Sequence, residues 1–319
     1  EVIQGLGVQI RTGVRVGKDI SFDDLKSDYD AIFVAIGAHK DQKLGIPGED
    51  LQGVMPGAEF LRDINMGNKV NLKGKKVVVV GAGNVAMDAA RSARRLGAES
   101  VTVVYRRQRE DMPAAKEEIE AAEEEGIAFS LMVNPKALKG EDGVLKAVTC
   151  VSMKTGEFDA SGRRRTEPIE GSDFDLPCDV LVSAIGQMPD TEPFENTGLP
   201  IQRRTFKVDS RTMATSVAGV FAGGDCQTGP ATVVEAIGAG KKAATAIDLY
   251  LGGDGDVVPK LNVARKLSAP IIEEKTQRSH GKMAPLARRL NSFTEAELGY
   301  DAHTAQREAS RCLRCDVKE

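Results

Sequence analysis

Apolar positions along the chain fall into short, dense runs punctuated by glycine, the spacing of buried strands joined through tight turns. Val77-Val78-Val79-Val80 is the densest. Four β-branched residues after Lys75-Lys76 predict a strand covered on both faces. Gly81-Ala82-Gly83 breaks that run, and residues 84–96 then carry a helical pattern closed by Gly97, a residue suited to a left-handed cap. A further apolar run at residues 101–105 completes a βαβ unit, which implies a parallel sheet. Residues 31–37 and 180–186 each predict a buried strand ending in Ala-Ile-Gly, and Val220-Phe221-Ala222 predicts another, broken by Gly223-Gly224-Asp225.

The remaining pattern is weaker. Val8-Gln9-Ile10 is a short apolar run near the start, and residues 114–125 predict an acidic, solvent-facing helix stopped by Gly126. Residues 127–175 alternate short strands with turns at Asp142-Gly143 and Ser161-Gly162, a small β-meander. A helix is expected over residues 231–251, then a Gly-rich linker at 252–255 and a polar tail, weakly helical near its end.

Composition narrows the function classes. The 319 residues are 41% hydrophobic and 28% charged, a globular balance sufficient for about two domains. A formal net charge of −4 gives no basic bias for nucleic acid or an anionic membrane surface. No apolar run approaches the roughly 20 residues of a membrane span. Five scattered cysteines make no disulfide framework, which fits a reducing, cytoplasmic setting.

The chemistry concentrates after the valine run. Gly81-Ala82-Gly83-Asn84-Val85-Ala86 has the G-x-G-x-x-G/A form between a strand and a helix, the context in which that hexapeptide cradles a dinucleotide diphosphate. Gly81 permits the tight turn, Gly83 lets backbone approach the diphosphate, and Ala86 lets helix and strand pack closely. The first amides of the helix, at Asn84 and Val85, then face the anion. A tight turn with no ligand is the alternative. After the second strand, where NAD enzymes carry Asp or Glu, stands Tyr105-Arg106-Arg107. Two guanidinium groups suit the 2′-phosphate of NADPH, against the alternative of two solvated arginines.

Together these residues resemble the small (β) subunit of NADPH-dependent glutamate synthase and related flavoproteins with two dinucleotide-binding domains. The resemblance covers residues 1–251 and is carried by residues 78–107 with Met112-Pro113-Ala114, by Ala184-Ile185-Gly186-Gln187, by residues 219–226 and by residues 229–237. It implies an α/β fold in which a Rossmann-like NAD(P)-binding domain, residues 72–188, is inserted into an FAD-binding domain of the same type. Residues 1–71 would be the tail of the first flavin segment with its crossover, residues 189–252 the second flavin segment, and residues 253–319 the tail. Cofactor contacts are implied at Gly186 and Gln187, and at Gly224 and Asp225 toward the ribityl and diphosphate region of FAD. The amides of Ala231, Thr232 and Val233 would lie beside the flavin carbonyl. The two Ala-Ile-Gly strand ends resemble the crossovers between the domains.

Such proteins open with their own flavin-binding glycine turn, whereas this sequence contains one such turn, so its flavin domain is expected to be partial. Cys312 and Cys315 form a C-x-x-C, two thiolates where an iron–sulphur cluster takes four ligands, so a cluster is expected only with further segments and no metal site within the chain. Cys226 has no partner at dithiol spacing, while Cys150 and Cys178 are expected to be structural. The expected activity is hydride passage between NADPH and FAD, with electrons released to iron–sulphur centres, a ferredoxin-like protein or a large partner subunit. The alternative is a nicotinamide-binding or electron-transfer module without turnover of its own. Without the diphosphate contacts of a first flavin turn, each on the order of 1.5–3 kcal/mol, flavin affinity is expected to fall by over about a thousandfold. The 319-residue chain should therefore purify largely colourless. A stoichiometric flavin band near 450 nm would contradict this.

Overall fold

A computed structural model describes residues 2–158, 164–257 and 277–311. Its residues group into two units, 1–42 with 186–260, and 43–185 with 261–319.

The unit holding the glycine turn is built on a five-stranded parallel sheet in the order Val54–Pro56, Val180–Ser183, Lys76–Val80, Ser100–Tyr105, Ala128–Leu131. The valine run forms the middle strand, as a run apolar on both faces must. Its alternation divides the core. Val77 and Val79 meet a helical layer from Gly57–Asn65, Asn84–Arg95 and Lys116–Glu124, while Val78 and Val80 meet an antiparallel sheet. That sheet is the expected meander. Val144–Phe158 runs between Val133–Glu141 and Phe174–Pro177 and also pairs with Arg164–Pro168. Asp142 (φ 52°) and Gly143 (φ 77°) both take the left-handed conformation that a two-residue hairpin demands. The second expected turn, Ser161-Gly162, lies outside the described residues.

Two departures from the sequence reading share one cause. Residues 114–125 do not form a simply solvent-facing helix, because Ile119 and Ala122 are buried and the same three-residue step brings Glu125 inward to 1% exposure. There the Glu125 carboxylate accepts from Arg91 Nη2 at 2.8 Å and Arg95 Nη2 at 3.1 Å. Arg289, from the polar tail, reaches Glu124 at 2.8 Å and Glu125 at 3.5 Å. Residues 277–311, with helices Leu286–Asn291 and Ala302–Ser310, thus fold on this unit instead of trailing from it. Residues 43–71 also fold here and not with the first segment, because Val54–Pro56 adds a parallel edge strand to Val180–Ser183.

The other unit pairs Ile32–Val34 in parallel with Val220–Ala222, beside the long helix Val233–Tyr250. Its core holds Phe22, Phe194 and Phe206 in successive edge-to-face contacts, with ring centres 5.6 and 5.4 Å apart. The residues after the two Ala-Ile-Gly strand ends meet each other, Lys40–Asp41 pairing antiparallel with Gln187–Met188. Val8 and Ile10 form no strand and are exposed. Among the described residues no helix is long and apolar enough to cross a membrane.

Glu125 is the joint of the charge network, so its loss leaves Arg91 and Arg289 buried without full compensation. Glu125→Ala is expected to lower unfolding free energy by about 3–5 kcal/mol, the usual cost of breaking a buried pair from one side. Urea unfolding measures it, and a loss below about 1 kcal/mol, the value of an exposed pair, would contradict the network's role.

Candidate functional site

The site grows from the end of the middle strand. Gly81 has φ +127° and donates its amide to Val104 O at 3.0 Å, and a Cβ there would lie 2.3 Å from Ala184 O. Only glycine fits. Gly83, by contrast, has an ordinary φ of −85°, and a Cβ on it would meet nothing nearer than Pro113 Cγ at 3.9 Å. The space above Gly83 is therefore open rather than filled by the chain, as a diphosphate cradle requires. Helix Asn84–Arg95 starts there and buries Ala86, Ala89, Ala90 and Ala93 completely, small side chains that bring its axis close to the sheet. The carbonyl of Gly83 accepts from Ala86 and Met87, which leaves the amides of Asn84 and Val85 with no acceptor among the described residues. Two orphan amides and the positive helix end point out of one turn.

Arg106 and Arg107 leave the adjacent strand end. Arg106 is exposed, Arg107 half-buried with its Nε unpartnered, and neither has a carboxylate partner among the described residues. The neighbouring cation is committed elsewhere, since Arg109 grips Glu123, with Nη2 to Oε2 at 2.9 Å. The loop that carries the arginines is tied down along its length. Tyr105 Oη donates to Asp111 O at 2.8 Å, the Ala114 amide donates to Ala82 O at 3.2 Å, and the Ala115 amide donates to Asn84 Oδ1 at 3.0 Å. Sequence reasoning assigned Asn84 to the cofactor and missed Tyr105, Arg109 and Glu123 as the loop's fasteners. Their partners are not at helical or strand spacing, so the sequence carries no local signal for them.

The remaining expected contacts lie in the other unit. Gly186 (φ +135°) accepts from the Gln42 amide at 2.9 Å, and Gln187 lies in the short ladder with Asp41. Gly224 (φ +74°) precedes the four-residue helix Asp225–Thr228. A Cβ on Gly223 would come within 3.0 Å of Phe33 Cζ and 3.1 Å of Ala239 Cβ, so glycine there lets the strand end and the long helix close up. Asp225 Oδ1 accepts from the Ala231 amide at 3.2 Å, tying the expected flavin carboxylate to the loop before helix Val233–Tyr250. Thr232 caps that helix. Its hydroxyl accepts from the Glu235 amide, and Glu235 Oε2 accepts from the Thr232 amide at 2.9 Å. The Thr232 hydroxyl, 2.7 Å from Glu235 Oε2, and then the Thr232 amide hold the Glu235 carboxyl below its ordinary pKa. The Val233 and Val234 amides keep no acceptor within the helix.

Among the described residues no two cysteines are paired. Cys150, Cys178 and Cys226 are free and buried. Burial pushes the thiol pKa of Cys150 up to about 11 and that of Cys178 up to about 12, and raises Cys226, so all three are protonated near neutrality. Cys312 and Cys315 lie outside the described residues, and among those residues no cluster of His, Cys, Asp or Glu has the makings of a metal site.

Known proteins match this arrangement. The family model for pyridine nucleotide-disulphide oxidoreductases matches residues 4–240. The NADP(+)-dependent formate dehydrogenase subunit beta of Moorella thermoacetica is 46% identical over 99% of this chain and 46% of its own length. The NADPH-Fe(3+) oxidoreductase subunit beta of Geobacter sulfurreducens is 38% identical over 99% of this chain and 52% of its own. The glutamate synthase [NADPH] small chain of Escherichia coli is 36% identical over 79% and 57% respectively, so the resemblance seen in the sequence holds. The chain spans about half the length of the curated relatives it matches. In fold it is similar to Mycobacterium tuberculosis FprA in complex with NADPH, with a TM-score of 0.61, 20% identity and coverage of 75% of this chain and 67% of that one. With its glycine turn and parallel sheet inside the matched span, the chain belongs to the pyridine nucleotide-disulphide oxidoreductase family.

Proposed function

We propose that the chain serves an FAD-dependent NADPH oxidoreductase of the glutamate synthase small-subunit kind, holding the nicotinamide nucleotide and one side of the flavin. The observation that carries this reading is the pairing of an open glycine turn with two uncommitted arginines at the next strand end. When bound, NADPH and FAD supply the hydride transfer and the release of single electrons. The residues of the chain bind, orient and set charge. The Asn84 and Val85 amides face the diphosphate, and Arg106 and Arg107 take the 2′-phosphate. Asp225, with Oδ1 on the Ala231 amide, has Oδ2 left to accept a ribityl hydroxyl. The helix end at Val233 faces electron-rich carbonyl oxygen with its orphan amides. No general acid or base is needed, since alignment is the chain's task.

Onward delivery to iron–sulphur centres or a partner subunit belongs to the same proposal. Its support is that two relatives are themselves named as beta subunits. One observation favours a second reading, a binding or electron-transfer module that turns over only in a larger assembly. Helix Val233–Tyr250 has one buried residue, Ala243, while Val233, Val234 and Ile237 are 75%, 78% and 54% exposed. So much apolar surface calls for a cover. Reduction of an artificial acceptor by the chain with NADPH and saturating added FAD separates the two, since the module reading predicts none beyond the rate of free FAD.

NADPH should bind more tightly than NADH. Each of the two guanidinium contacts contributes roughly 1.5–3 kcal/mol before ordering costs. Titration of both cofactors should show that preference, and Arg106→Ala with Arg107→Ala should remove most of it. A double variant that keeps the full preference would sink the assignment.

A further inference from the structure

We infer that the Asn84 side chain is a positioning group for cofactor choice and not itself a ligand of the diphosphate, which the Asn84 backbone amide faces. Its carboxamide clips the arginine loop shut against the glycine turn. The inference rests on the nicotinamide reading above and adds a role for a side chain that the G-x-G-x-x-A motif leaves unspecified.

Asn84 is the first residue of its helix, at the very turn where the diphosphate would lie, and a side chain there is free to point at the ligand. Instead its Oδ1 accepts from the amide of Ala115, 31 residues further on, at 3.0 Å. Two residues away, the Ala82 carbonyl accepts from the Ala114 amide at 3.2 Å. Consecutive amides of the returning loop are therefore held on either side of Gly83, one by the Ala82 backbone and one by the Asn84 side chain. The same contact sets Pro113 over Gly83, with its Cγ 3.9 Å from where a Cβ would stand.

The consequence lies at the loop's other end. The loop leaves the sheet at Tyr105, carries Arg106 and Arg107, and returns at Ala115. Between those ends it is pinned by the Tyr105 hydroxyl on Asp111 and by the Arg109–Glu123 fork. A guanidinium on a free loop must lose backbone and side-chain freedom when it meets a phosphate, and one on a pinned loop loses less. The Asn84 clip adds a second fastening at the return end, beside the Ala114–Ala82 bond. Ala115 is also the cap position of helix Lys116–Glu124 and has no side-chain hydrogen bond of its own, so Asn84 anchors the start of that helix as well. The 2′-phosphate is the only group that distinguishes NADPH from NADH, so the clip should act on their ratio of affinities. Contacts to the shared diphosphate cancel in that ratio.

Asn84→Ala removes the acceptor, and Asn84→Asp keeps an oxygen at the same reach while adding a negative charge beside the diphosphate. Dissociation constants for NADPH and NADH, measured by titration calorimetry on the whole chain, give the ratio for each variant. Circular dichroism and urea unfolding establish that each is folded. The expected result for Asn84→Ala is a preference for NADPH reduced by roughly tenfold, the size of one good hydrogen bond's worth of alignment. For Asn84→Asp, both affinities should weaken together while their ratio stays near that of the wild type. A wild-type ratio in Asn84→Ala overturns the inference, as does an equal loss of ratio in both variants. If wild-type protein itself shows no preference for NADPH, the nicotinamide-phosphate reading fails first, which is a separate outcome. Should Asn84→Ala be unfolded, Ala115→Pro deletes the donating amide instead and must give the same fall in ratio.

Discussion

The structure depends on one close approach, between the backbone of Gly81 and the carbonyl of Ala184. A Cβ on Gly81 would lie 2.3 Å from that oxygen, so no side chain is tolerated where the middle strand turns into its helix. The turn is thereby held within the sheet, between strand Val180–Ser183 on one side and Ser100–Tyr105 on the other. Adjacent strands lie about 4.8 Å apart, so the glycine turn and the Tyr105-Arg106-Arg107 strand end are neighbours by construction. An open glycine turn and a pair of cations thus come side by side through the order of the strands.

The helix that leaves this turn is fixed by two kinds of interaction with different failure modes. Its alanines allow close packing on Val77, Val79, Val101 and Val103, an area effect spread over many contacts. Its arginines converge on Glu125, a directed effect concentrated in one carboxylate. Arg289 draws the C-terminal helices into the same cluster, so a segment distant in sequence is bound to the helix that positions the glycine turn. At the arginine loop the balance is reversed. Arg109 is neutralised by Glu123, while Arg106 and Arg107 have no carboxylate partner among the described residues. Positive charge kept unpaired on a fastened loop suits an anionic ligand better than it suits stability alone.

What was legible in the sequence was what local spacing encodes. The valine run, the glycine break, the alanine-rich helix and the Asp142-Gly143 hairpin all follow from periodicity and backbone chemistry, and each stands where the pattern puts it. Glu125 was not legible, because an acidic run such as residues 116–125 predicts a solvated face until Arg91, Arg95 and Arg289 are known to lie opposite. The polar tail hid its docking for the same reason, the buried Arg289 being indistinguishable in sequence from surface charge. Asn84 shows the limit most clearly. Its position in the motif points to the phosphate, yet its side chain is bonded to Ala115, a partner that only the fold supplies.

The central claim is that the glycine turn and the two arginines form one nucleotide site, and backbone amide shifts measure that directly. Titration of the isotope-labelled chain with NADPH, followed in ¹H–¹⁵N correlation spectra, should move the amides of Ala82, Gly83, Asn84 and Val85 together with those of Arg106 and Arg107. NADH should move the first group and leave the arginine amides largely in place. Saturating NADPH that shifts neither group, or shifts the arginines without the glycine turn, would contradict the account.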